Sequence, residues 1–384
     1  MDVIMKIVLY TNILTPYRKY FYDLFYEECK NHGDMFRVLV MAENENNRDW
    51  FYREFKSPYT ILLKGKTISY GETYIHINYN MKKILKKINP DVVIASGSYL
   101  CPGTWKIAKL KGKLNYKVYF WSESHLGEAR SYNKLKIGVR EQMRALFYKN
   151  FDGFLCPGKL AFDFVNKYSA KEVKKILLPN LVDESIFTKD YFHEDLLCKN
   201  LHQKGKIIMF IPARLSEVKG IGPFMELLAL TSNYKNVALV VAGSGILSEN
   251  LKTKAKELGI EAYFIGAKKQ DEIADLYKNI DIFVLPSLSD PNPLTCIEAL
   301  WSKKPLLVSN HVGNYPEVIK QGENGFMFSY ANKKNAVSII EKMISKDKEW
   351  RLNAGEESYK IASNLYDSRK VVERVRKEIY IEEV

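Results

Sequence analysis

The feature that most constrains the fold of this chain is a repeated alternation of short apolar runs with segments of helical periodicity. The run Lys6–Tyr10 begins this pattern in the first half, and Asp281–Leu285 is one of several such runs in the second half. Short apolar runs bounded by polar residues are typical of parallel strands that are buried on both faces. Their alternation with helices predicts an α/β protein with two doubly wound parallel sheets and right-handed crossovers.

The passage Asp281–Trp301 carries the residues around which we interpret the rest of the chain. Its apolar run stops at Pro286, a loop then carries Asp290, and Asn292 and Pro293 follow. Asparagine is a preferred N-cap residue, and proline suits the first position of a helix. The sequence therefore predicts that a helix begins at Pro293 with Asn292 as its N-cap.

The predicted start of this helix is suited to a bound phosphate. The backbone N–H groups of Leu294 and Thr295 have no partner inside the helix, and the helix dipole adds to their positive potential. At about 1.5 Å per residue, Glu298 lies roughly 7–8 Å along the helix from Pro293, about a ribose away from such a phosphate. Asp290 and Glu298 therefore bracket a gap the size of a nucleotide. The alternative to a nucleotide site is that Asp290 is an ordinary residue at the tip of a loop and Glu298 a solvated residue of the helix.

Cations and glycines follow two other predicted strands in the second half. Arg214 and Lys219 come after the run Lys206–Pro212. The planar fork of an arginine and the point charge of a lysine together suit a diphosphate. Gly243 and Gly245 follow the next run, in a turn where a backbone can approach a ligand closely. The alternative interpretations are two surface cations and a glycine turn of the kind that every dinucleotide-binding protein shares.

In combination, these motifs resemble those of the family-4 retaining glycosyltransferases. Asp290-x7-Glu298 is similar to the Glu-x7-Glu signature of that family, with a first acid that is one methylene shorter. Arg214-x4-Lys219 is similar to its Gly-Arg-Leu-x3-Lys-Gly motif, with alanine in place of the first glycine. The segment 179–183, Pro-Asn-Leu-Val-Asp, resembles the passage with which the family leaves its first domain.

The resemblance implies the GT-B architecture, in which two Rossmann-like domains face each other across a cleft. It assigns residues 1–187 to an acceptor-binding domain, 188–365 to a domain that binds the nucleotide-sugar donor, and 366–384 to a helix that crosses back to the first domain. It also implies that the enzyme retains the anomeric configuration and uses no metal or other cofactor. The sequence contains no Asp-x-Asp pair or clustered-histidine ligand set.

The resemblance further implies roles for individual residues. Asp290 and His125 orient the hexose, where His125 follows the predicted strand Tyr116–Trp121. Glu298 holds the donor ribose, and the base lies just after Gly266.

The leaving nucleoside diphosphate gains negative charge as the sugar bond breaks. Arg214, Lys219 and the helix start at residues 292–295 are expected to stabilise that charge in the transition state more than in the ground state. No residue is expected to act as a covalent nucleophile.

The loop after the first strand is expected on the acceptor side. In many family-4 enzymes this loop is rich in glycine, whereas here it contains Thr15 and Arg18 and resembles a Pro-Tyr-Arg variant found in members that build polysaccharides. Arg18 would meet an anionic acceptor. The alternative is an arginine that is solvated at the start of a helix.

The net charge of +13 is concentrated in one region, because residues 51–150 contain 19 Lys and Arg against 6 Asp and Glu. A basic region implies an anionic partner, and we expect a membrane surface rather than nucleic acid because no nucleic-acid-reading motif is present. A plain solvated face is the alternative.

The chain contains no long apolar run or signal-peptide pattern, and its five cysteines have no paired spacing. We therefore expect a cytoplasmic protein that is peripheral on the inner face of the membrane.

The sequence predicts a retaining hexosyltransferase. It would transfer a sugar from a nucleotide diphosphate, with uridine as the expected base, to a glycan acceptor that is expected to be lipid-linked, in the synthesis of a bacterial surface polysaccharide such as capsule or O-antigen. A sugar-nucleotide 2-epimerase of the same fold is one alternative. A non-catalytic homologue that binds a membrane or nucleic acid is another.

Overall fold

The structure, a computed structural model, describes residues 4–45, 51–70, 73–125, 134–170, 172–189 and 193–380. The chain divides into two compact units. The first contains the chain up to Leu181 together with the last helix, and the second contains Val182–Asp367. The boundary expected from the sequence, between residues 187 and 188, lies slightly further along the chain.

The first unit is built on a parallel sheet. Its strands are β1 (Lys6–Thr11), β2 (Met35–Val40), β3 (Thr60–Leu62), β4 (Gly65–Tyr70), β5 (Thr73–Asn78), β6 (Val92–Ala95), β7 (Lys117–Trp121), β8 (Gly153–Cys156) and β9 (Lys174–Leu177). Seven of them form the sheet, in the order β3-β2-β1-β6-β7-β8-β9, with every pair parallel. The remaining two, β4 and β5, pair as an antiparallel hairpin that the sequence analysis did not anticipate.

Helices cover both faces of this sheet. They are α1 (Pro16–Asn31), α2 (Tyr52–Phe55), α3 (Met81–Ile88), α4 (Pro102–Leu114), α5 (Lys134–Tyr148), α6 (Lys159–Tyr168) and, from the end of the chain, α16 (Ser368–Tyr380). Helices α1 and α16 pack on one face, against the side chains of Ile7 and Leu9. Helices α3 to α6 pack on the other face, against Val8 and Tyr10. Successive residues of β1 thus alternate between two cores, as the pleat of a strand requires.

The second unit contains a six-stranded sheet. Its strands are β10 (Ile207–Pro212), β11 (Val237–Ala242), β12 (Ala262–Phe264), β13 (Ile282–Leu285), β14 (Leu306–Ser309) and β15 (Gly325–Phe328). They run in parallel in the order β12-β11-β10-β13-β14-β15. The helices are α7 (Glu184–Phe187), α8 (Leu196–Gln203), α9 (Ile221–Leu228), α10 (Ser248–Glu257), α11 (Gln270–Asn279), α12 (Leu294–Trp301), α13 (Tyr315–Val318), α14 (Lys333–Ile344) and α15 (Lys348–Leu365). The prediction of two doubly wound parallel sheets is confirmed.

The strand order reverses once in each sheet. In the first sheet β1 lies between β2 and β6, and in the second β10 lies between β11 and β13. At such a switch point the connections leave in opposite directions, so a crevice opens outside the carboxyl ends of the two central strands. Ligands of open α/β sheets bind in that crevice. The fold alone therefore directs attention to the loops that follow β10 and β13.

The structure describes part of the segment over residues 44–59. It contains the short helix α2, whereas residues 46–50 lie outside the described part of the chain. Among the helices that the structure describes, none has the length and apolar character needed to cross a membrane.

The last helix is held to the first unit by a buried ion pair. In α16, the Nη2 atom of Arg376 lies 2.7 Å from Oδ2 of Asp34, whose side chain is 1% exposed. The backbone N–H of Met5 donates to the other carboxylate oxygen at 2.9 Å. Apolar side chains of α16, including Val375, pack against those of α1. Asp34 therefore links the start of the chain to its end.

We expect Arg376→Met to lower the free energy of unfolding by about 3–5 kcal/mol, because it leaves the carboxylate of Asp34 buried without its cation. Urea denaturation would measure this change. Lys377→Met, on the exposed face of the same helix, is the control and should have little effect. Adding Asp34→Asn to Arg376→Met should recover part of the loss. Equal losses of stability in Arg376→Met and Lys377→Met would contradict a stabilising role for the buried pair.

Candidate functional site

The candidate residues of the second unit lie at the switch point of its sheet. Strand β10 ends at Pro212 and is followed by Arg214 and Lys219, whereas β13 ends at Leu285 and is followed by Asp290. Because β10 and β13 are neighbours and parallel, the two loops leave from the same edge of the sheet. The fold thus brings together cations and a carboxylate that are far apart in the sequence.

The central contact of this edge is an ion pair between Lys219 and Asp290. The Nζ atom of Lys219 donates a hydrogen bond to Oδ2 of Asp290, and the two side chains are only 16% and 11% exposed. Sequence reasoning placed both residues at a donor site but did not predict that they contact each other. Opposite charges that are in contact and mostly shielded from water attract each other more strongly than exposed ones.

The backbone around Asp290 is fixed by neighbouring loops. The N–H of Leu288 donates to the carbonyl of Val218 at 2.8 Å, which ties this loop to the turn that carries Lys219. The N–H of Asp290 itself donates to the carbonyl of His311 at 3.1 Å, and its carbonyl accepts from Gly313 at 2.7 Å. The carboxylate is therefore held in place before any ligand binds.

Helix α12 begins one residue later than the sequence predicted. Its first residue is Leu294, and Pro293 occupies the N-cap position with an extended backbone (φ −71°, ψ 130°). The prediction that Asn292 caps the helix is therefore wrong. The carbonyl of Pro293 accepts a hydrogen bond from Nδ2 of Asn314 at 3.0 Å, and this contact holds Pro293 outside the helix. Leu294 and Thr295 still occupy the first turn, where N–H groups have no acceptor within the helix.

Glu298 lies in α12 with its carboxylate against Tyr277. The hydroxyl of Tyr277 lies 3.2 Å from Oε2 of Glu298 and 3.0 Å from the carbonyl oxygen of Thr295. Burial raises the pKa of Glu298 to about 7, and the hydrogen bond from Tyr277 opposes that shift. Burial also raises the pKa of Tyr277 itself, so its hydroxyl remains a donor. The solvated interpretation of Glu298 is thus excluded, because this side chain is partly shielded from water and accepts a hydrogen bond from Tyr277.

Gly243 and Gly245 serve the packing of two loops. A Cβ atom at Gly243 would lie 2.0 Å from the carbonyl oxygen of Ala213, and one at Gly245 would lie 2.3 Å from that of Leu215. Both glycines have φ values in the region that favours glycine, +149° and +159°. The close approach that the sequence suggested for a ligand is made here by the loop that carries Arg214. Gly266, which accepts a hydrogen bond from the N–H of Gly243 at 2.8 Å, lies at the same edge.

The two predicted cations of this edge differ in their surroundings. Lys219 is partly buried and paired, whereas Arg214 is exposed. Within the part of the chain that the structure describes, the guanidinium of Arg214 has no hydrogen bond or ion pair. It is therefore the group most free to reorient toward an anionic ligand.

Three predicted residues, Thr15, Arg18 and His125, belong to the first unit, where they follow β1 or β7. The Nη2 atom of Arg18 lies 3.2 Å from Oε2 of Glu123, and its guanidinium stacks 4.6 Å from the ring centre of Trp121. Burial works against its charge, but Glu123 holds the pKa of Arg18 above its ordinary value. The solvated alternative for Arg18 is excluded, and its positive charge is already balanced by an acid that sequence reasoning missed.

Thr15 and His125 are both buried. Thr15 stands at the N-cap of α1 without a side-chain capping bond, and its hydroxyl has no hydrogen-bond partner among the described residues. His125 lies four residues beyond Trp121, the last residue of β7. Their proposed contacts with acceptor and hexose stay predictions.

Sequence reasoning missed the residues that hold the site residues in place. Tyr277 contacts α12, Asn314 contacts the N-cap residue Pro293, and Glu123 pairs with Arg18. The only signal that pointed to Glu123 was its position just beyond a predicted strand. Among the described residues there is no group of three or more His, Cys, Asp and Glu side chains placed to hold a metal ion.

The chain is similar to known glycosyltransferases. Residues 193–361 match the model of the family "Glycosyl transferases group 1". The chain is 26% identical over 254 residues to a Campylobacter jejuni enzyme named GalNAc-α-(1→4)-GalNAc-α-(1→3)-diNAcBac-PP-undecaprenol α-1,4-N-acetyl-D-galactosaminyltransferase, covering 65% of this chain and 64% of the relative. It is 25% identical to the N,N'-diacetylbacillosaminyl-diphospho-undecaprenol α-1,3-N-acetylgalactosaminyltransferase of the same organism, covering 78% and 79%. The predicted resemblance to glycosyltransferases is confirmed.

The chain spans less than two thirds of the length of the first curated relatives that it matches, from 36% to 64%. Similarity of structure covers more of the chain. Anabaena HepE in complex with UDP superposes with a TM-score of 0.73 over 98% of this chain and 99% of that one, at 16% identity. At that identity the likeness concerns the fold, and the predicted GT-B fold is confirmed.

We expect Glu298→Gln to stabilise the unliganded protein by about 1–3 kcal/mol at about pH 8 and by much less at about pH 5. The stabilising contribution of this carboxyl is fully present below its unfolded pKa and is lost as the pH rises through its folded pKa of about 7, because the folded protein must then bury an anion. Urea denaturation at both pH values would measure the difference. Glu257→Gln, on the exposed end of α10, is the control, and a gain independent of pH would contradict this account.

Proposed function

Because residues 193–361 match the group 1 glycosyl transferases and the chain has the GT-B fold, we propose that this protein is a retaining, metal-independent hexosyltransferase. It transfers a sugar from a nucleotide diphosphate, with uridine as the base, to a glycan acceptor. The observation that carries the proposal is the meeting of Lys219, Asp290 and the start of α12 at the carboxyl edge of β10 and β13.

The residues at this edge are proposed to bind different parts of the donor. The diphosphate of the donor is proposed to bind at the N–H groups of Leu294 and Thr295, with Arg214 and Lys219 as its cations. As the bond to the sugar breaks, negative charge grows on the departing diphosphate, and these cations stabilise it. Asp290, the counter-ion of Lys219, accepts hydrogen bonds from hydroxyl groups of the sugar.

Glu298 is proposed to hold the ribose. An ionised carboxylate is an acceptor of hydrogen bonds only, so it suits two neighbouring hydroxyl groups. In the unliganded protein its pKa is about 7 because it is partly removed from water. Hydroxyl donors from a ribose favour its ionised form. Gly266 marks the loop at which the base binds, and His125 of the first unit assists in orienting the hexose.

The acceptor is proposed to be lipid-linked. Two relatives named above act, by their names, on undecaprenol-linked glycans. The surplus of positive charge in residues 51–150 suits an anionic membrane surface, where such an acceptor is found. We place the protein on the cytoplasmic face of a bacterial membrane, in the synthesis of a surface polysaccharide.

Donor binding can be tested with Arg214→Met. Because this side chain is exposed and unpaired, its loss should leave the unliganded stability unchanged while weakening UDP-sugar binding about 10- to 100-fold. In a thermal-shift titration, a donor at about a hundred times its dissociation constant should add about 2.7 kcal/mol to the wild type. Lys256→Met, in the last turn of α10, is the control. If no nucleotide diphosphate or nucleotide sugar stabilises the wild type, the proposal fails.

The pH dependence of binding tests the role of Glu298. Affinity for UDP-glucose, whose pyrophosphate does not titrate in this range, should fall about tenfold from pH 8 to pH 6, because the carboxyl must lose its proton before it accepts from the ribose. Isothermal titration calorimetry at several pH values would show this slope. Glu298→Gln should bind more weakly and lose the slope, and a slope that persists in this variant would assign it to another group.

The 2-epimerase alternative is separated by the products. A transferase releases nucleoside diphosphate only when an acceptor accepts the sugar or water hydrolyses it, whereas an epimerase changes the sugar of the intact nucleotide without an acceptor. Nuclear magnetic resonance of the donor after incubation with wild type and Asp290→Asn would distinguish them. If the wild type forms an epimer of the donor without an acceptor and Asp290→Asn does not, the protein is an epimerase and the proposed transfer reaction is wrong.

A further inference from the structure

The outer surface of one helix layer in the first unit combines positive charge with exposed apolar side chains. Helices α3, α4 and α5 pack on the same face of the sheet, because their inward side chains share one core. Trp105 of α4 and Phe147 of α5 are in ring contact at 5.1 Å, so these two helices are direct neighbours. We call the solvent side of α3, α4 and α5 the outer layer.

Helices α3 and α4 supply the charge of the outer layer. Their sequences, Met81–Ile88 and Pro102–Leu114, contain eight lysines and no acidic residue. Seven of these lysines are exposed: Lys82, Lys83, Lys86, Lys87, Lys106, Lys109 and Lys113. None of the seven pairs with a carboxylate of a described residue, whereas the eighth, Lys111, lies 2.6 Å from Asp152. The outer layer thus carries unbalanced positive charge.

Helix α5 supplies an apolar stripe. Val139, Met143 and Leu146 are 56%, 38% and 62% exposed and follow the spacing i, i+4, i+7, so they lie along one side of the helix. Residues with that spacing usually face a core. Here Phe147 and Tyr148 take that role, and the stripe faces away from it. The acid of α5, Glu141, is engaged by Lys167 of α6 at 2.6 Å.

We propose that the outer layer docks the protein on an anionic lipid surface, with the α5 stripe of Val139, Met143 and Leu146 at the boundary of headgroups and acyl chains and the lysines of α3 and α4 on the headgroups. A surface that binds in the membrane interface needs both apolar area and attraction to anionic lipid. Either feature alone has an ordinary explanation, but here neighbouring helices of one layer present both.

A second copy of the chain is a poorer occupant of this surface. Two copies that met through the same stripe would place the lysines of one layer near those of the other, and like charges brought together repel. Nucleic acid would match the lysines but would leave the apolar stripe without a partner. A lipid surface satisfies both features at once.

This proposal rests on the proposed function for its purpose, since a lipid-linked acceptor must be reached at a membrane, but its test is independent of donor binding. Full-length protein would be sedimented with vesicles of phosphatidylcholine alone or with added phosphatidylglycerol, at about 0.05 M and 0.5 M salt. We expect at least about tenfold stronger binding to the anionic vesicles at low salt.

Two sets of variants separate the contributions of charge and apolar area. Lys86→Gln with Lys109→Gln should weaken binding about 25-fold at low salt, since each lysine near the surface is worth about fivefold. Val139→Gln, Met143→Gln and Leu146→Gln together should weaken it about tenfold or more, with little dependence on salt.

Matched controls come from exposed side chains of the second unit. They are Lys333→Gln with Lys334→Gln for charge and Leu230→Gln with Leu352→Gln for apolar area, and both pairs should bind vesicles like the wild type. All variants should keep the thermal shift with the nucleotide-sugar donor, which shows that they are folded.

Each outcome separates docking from catalysis. If the α5 and lysine variants bind vesicles as strongly as the wild type and keep the donor shift, the proposed docking surface is wrong and the proposed function still stands. Vesicle binding that depends on the stripe, without any donor shift in the wild type, would support docking and overturn the proposed function.

Two further outcomes would assign the surface to another partner. If sedimentation velocity without vesicles shows that the wild type is a dimer and the α5 variant a monomer, while the α5 variant binds vesicles like the wild type, the stripe joins two copies instead. Retention on DNA that depends on the lysines, without retention on vesicles, would assign the surface to nucleic acid.

Discussion

The ion pair between Lys219 and Asp290 is the interaction on which the candidate site depends. It joins the loop after β10 to the loop after β13 at the point where the strand order of the second sheet reverses. Removing either partner would leave a shielded charge without its counter-ion, which is costly. The pair therefore keeps a cation and an acceptor carboxylate together at one edge of the sheet without a ligand.

The ionised form that Glu298 needs for ligand binding is disfavoured by the position of its side chain in the unliganded protein. The carboxyl is partly removed from water by α12 and Tyr277, so its ionised form is disfavoured in the unliganded protein. An apolar or amide side chain would suit the same place better. Residues that break a local rule in this way are expected at functional sites, because a ligand can supply the missing interaction.

The positive charge of the first unit lies away from its strand ends. At the carboxyl edge of the first sheet, the guanidinium of Arg18 is balanced by Glu123. On the helix layer formed by α3, α4 and α5, seven exposed lysines have no such balance. The surplus that composition alone detects in residues 51–150 thus includes a basic helix layer, whereas the sheet edge that carries Arg18 is locally balanced. These two surfaces suit different partners.

The sequence by itself determined both parallel sheets, because buried strands and crossover helices have different periodicities, and it placed the cations, Asp290 and Glu298 after the correct strands. Tertiary structure decided which of them meet. Lys219 and Asp290 are 71 residues apart, and Arg18 and Glu123 are 105 apart, so no local pattern records either pair. The start of α12 was misplaced for the same reason: local preferences favour Asn292 as the cap, but Asn314, from another loop, holds the carbonyl of Pro293 outside the helix.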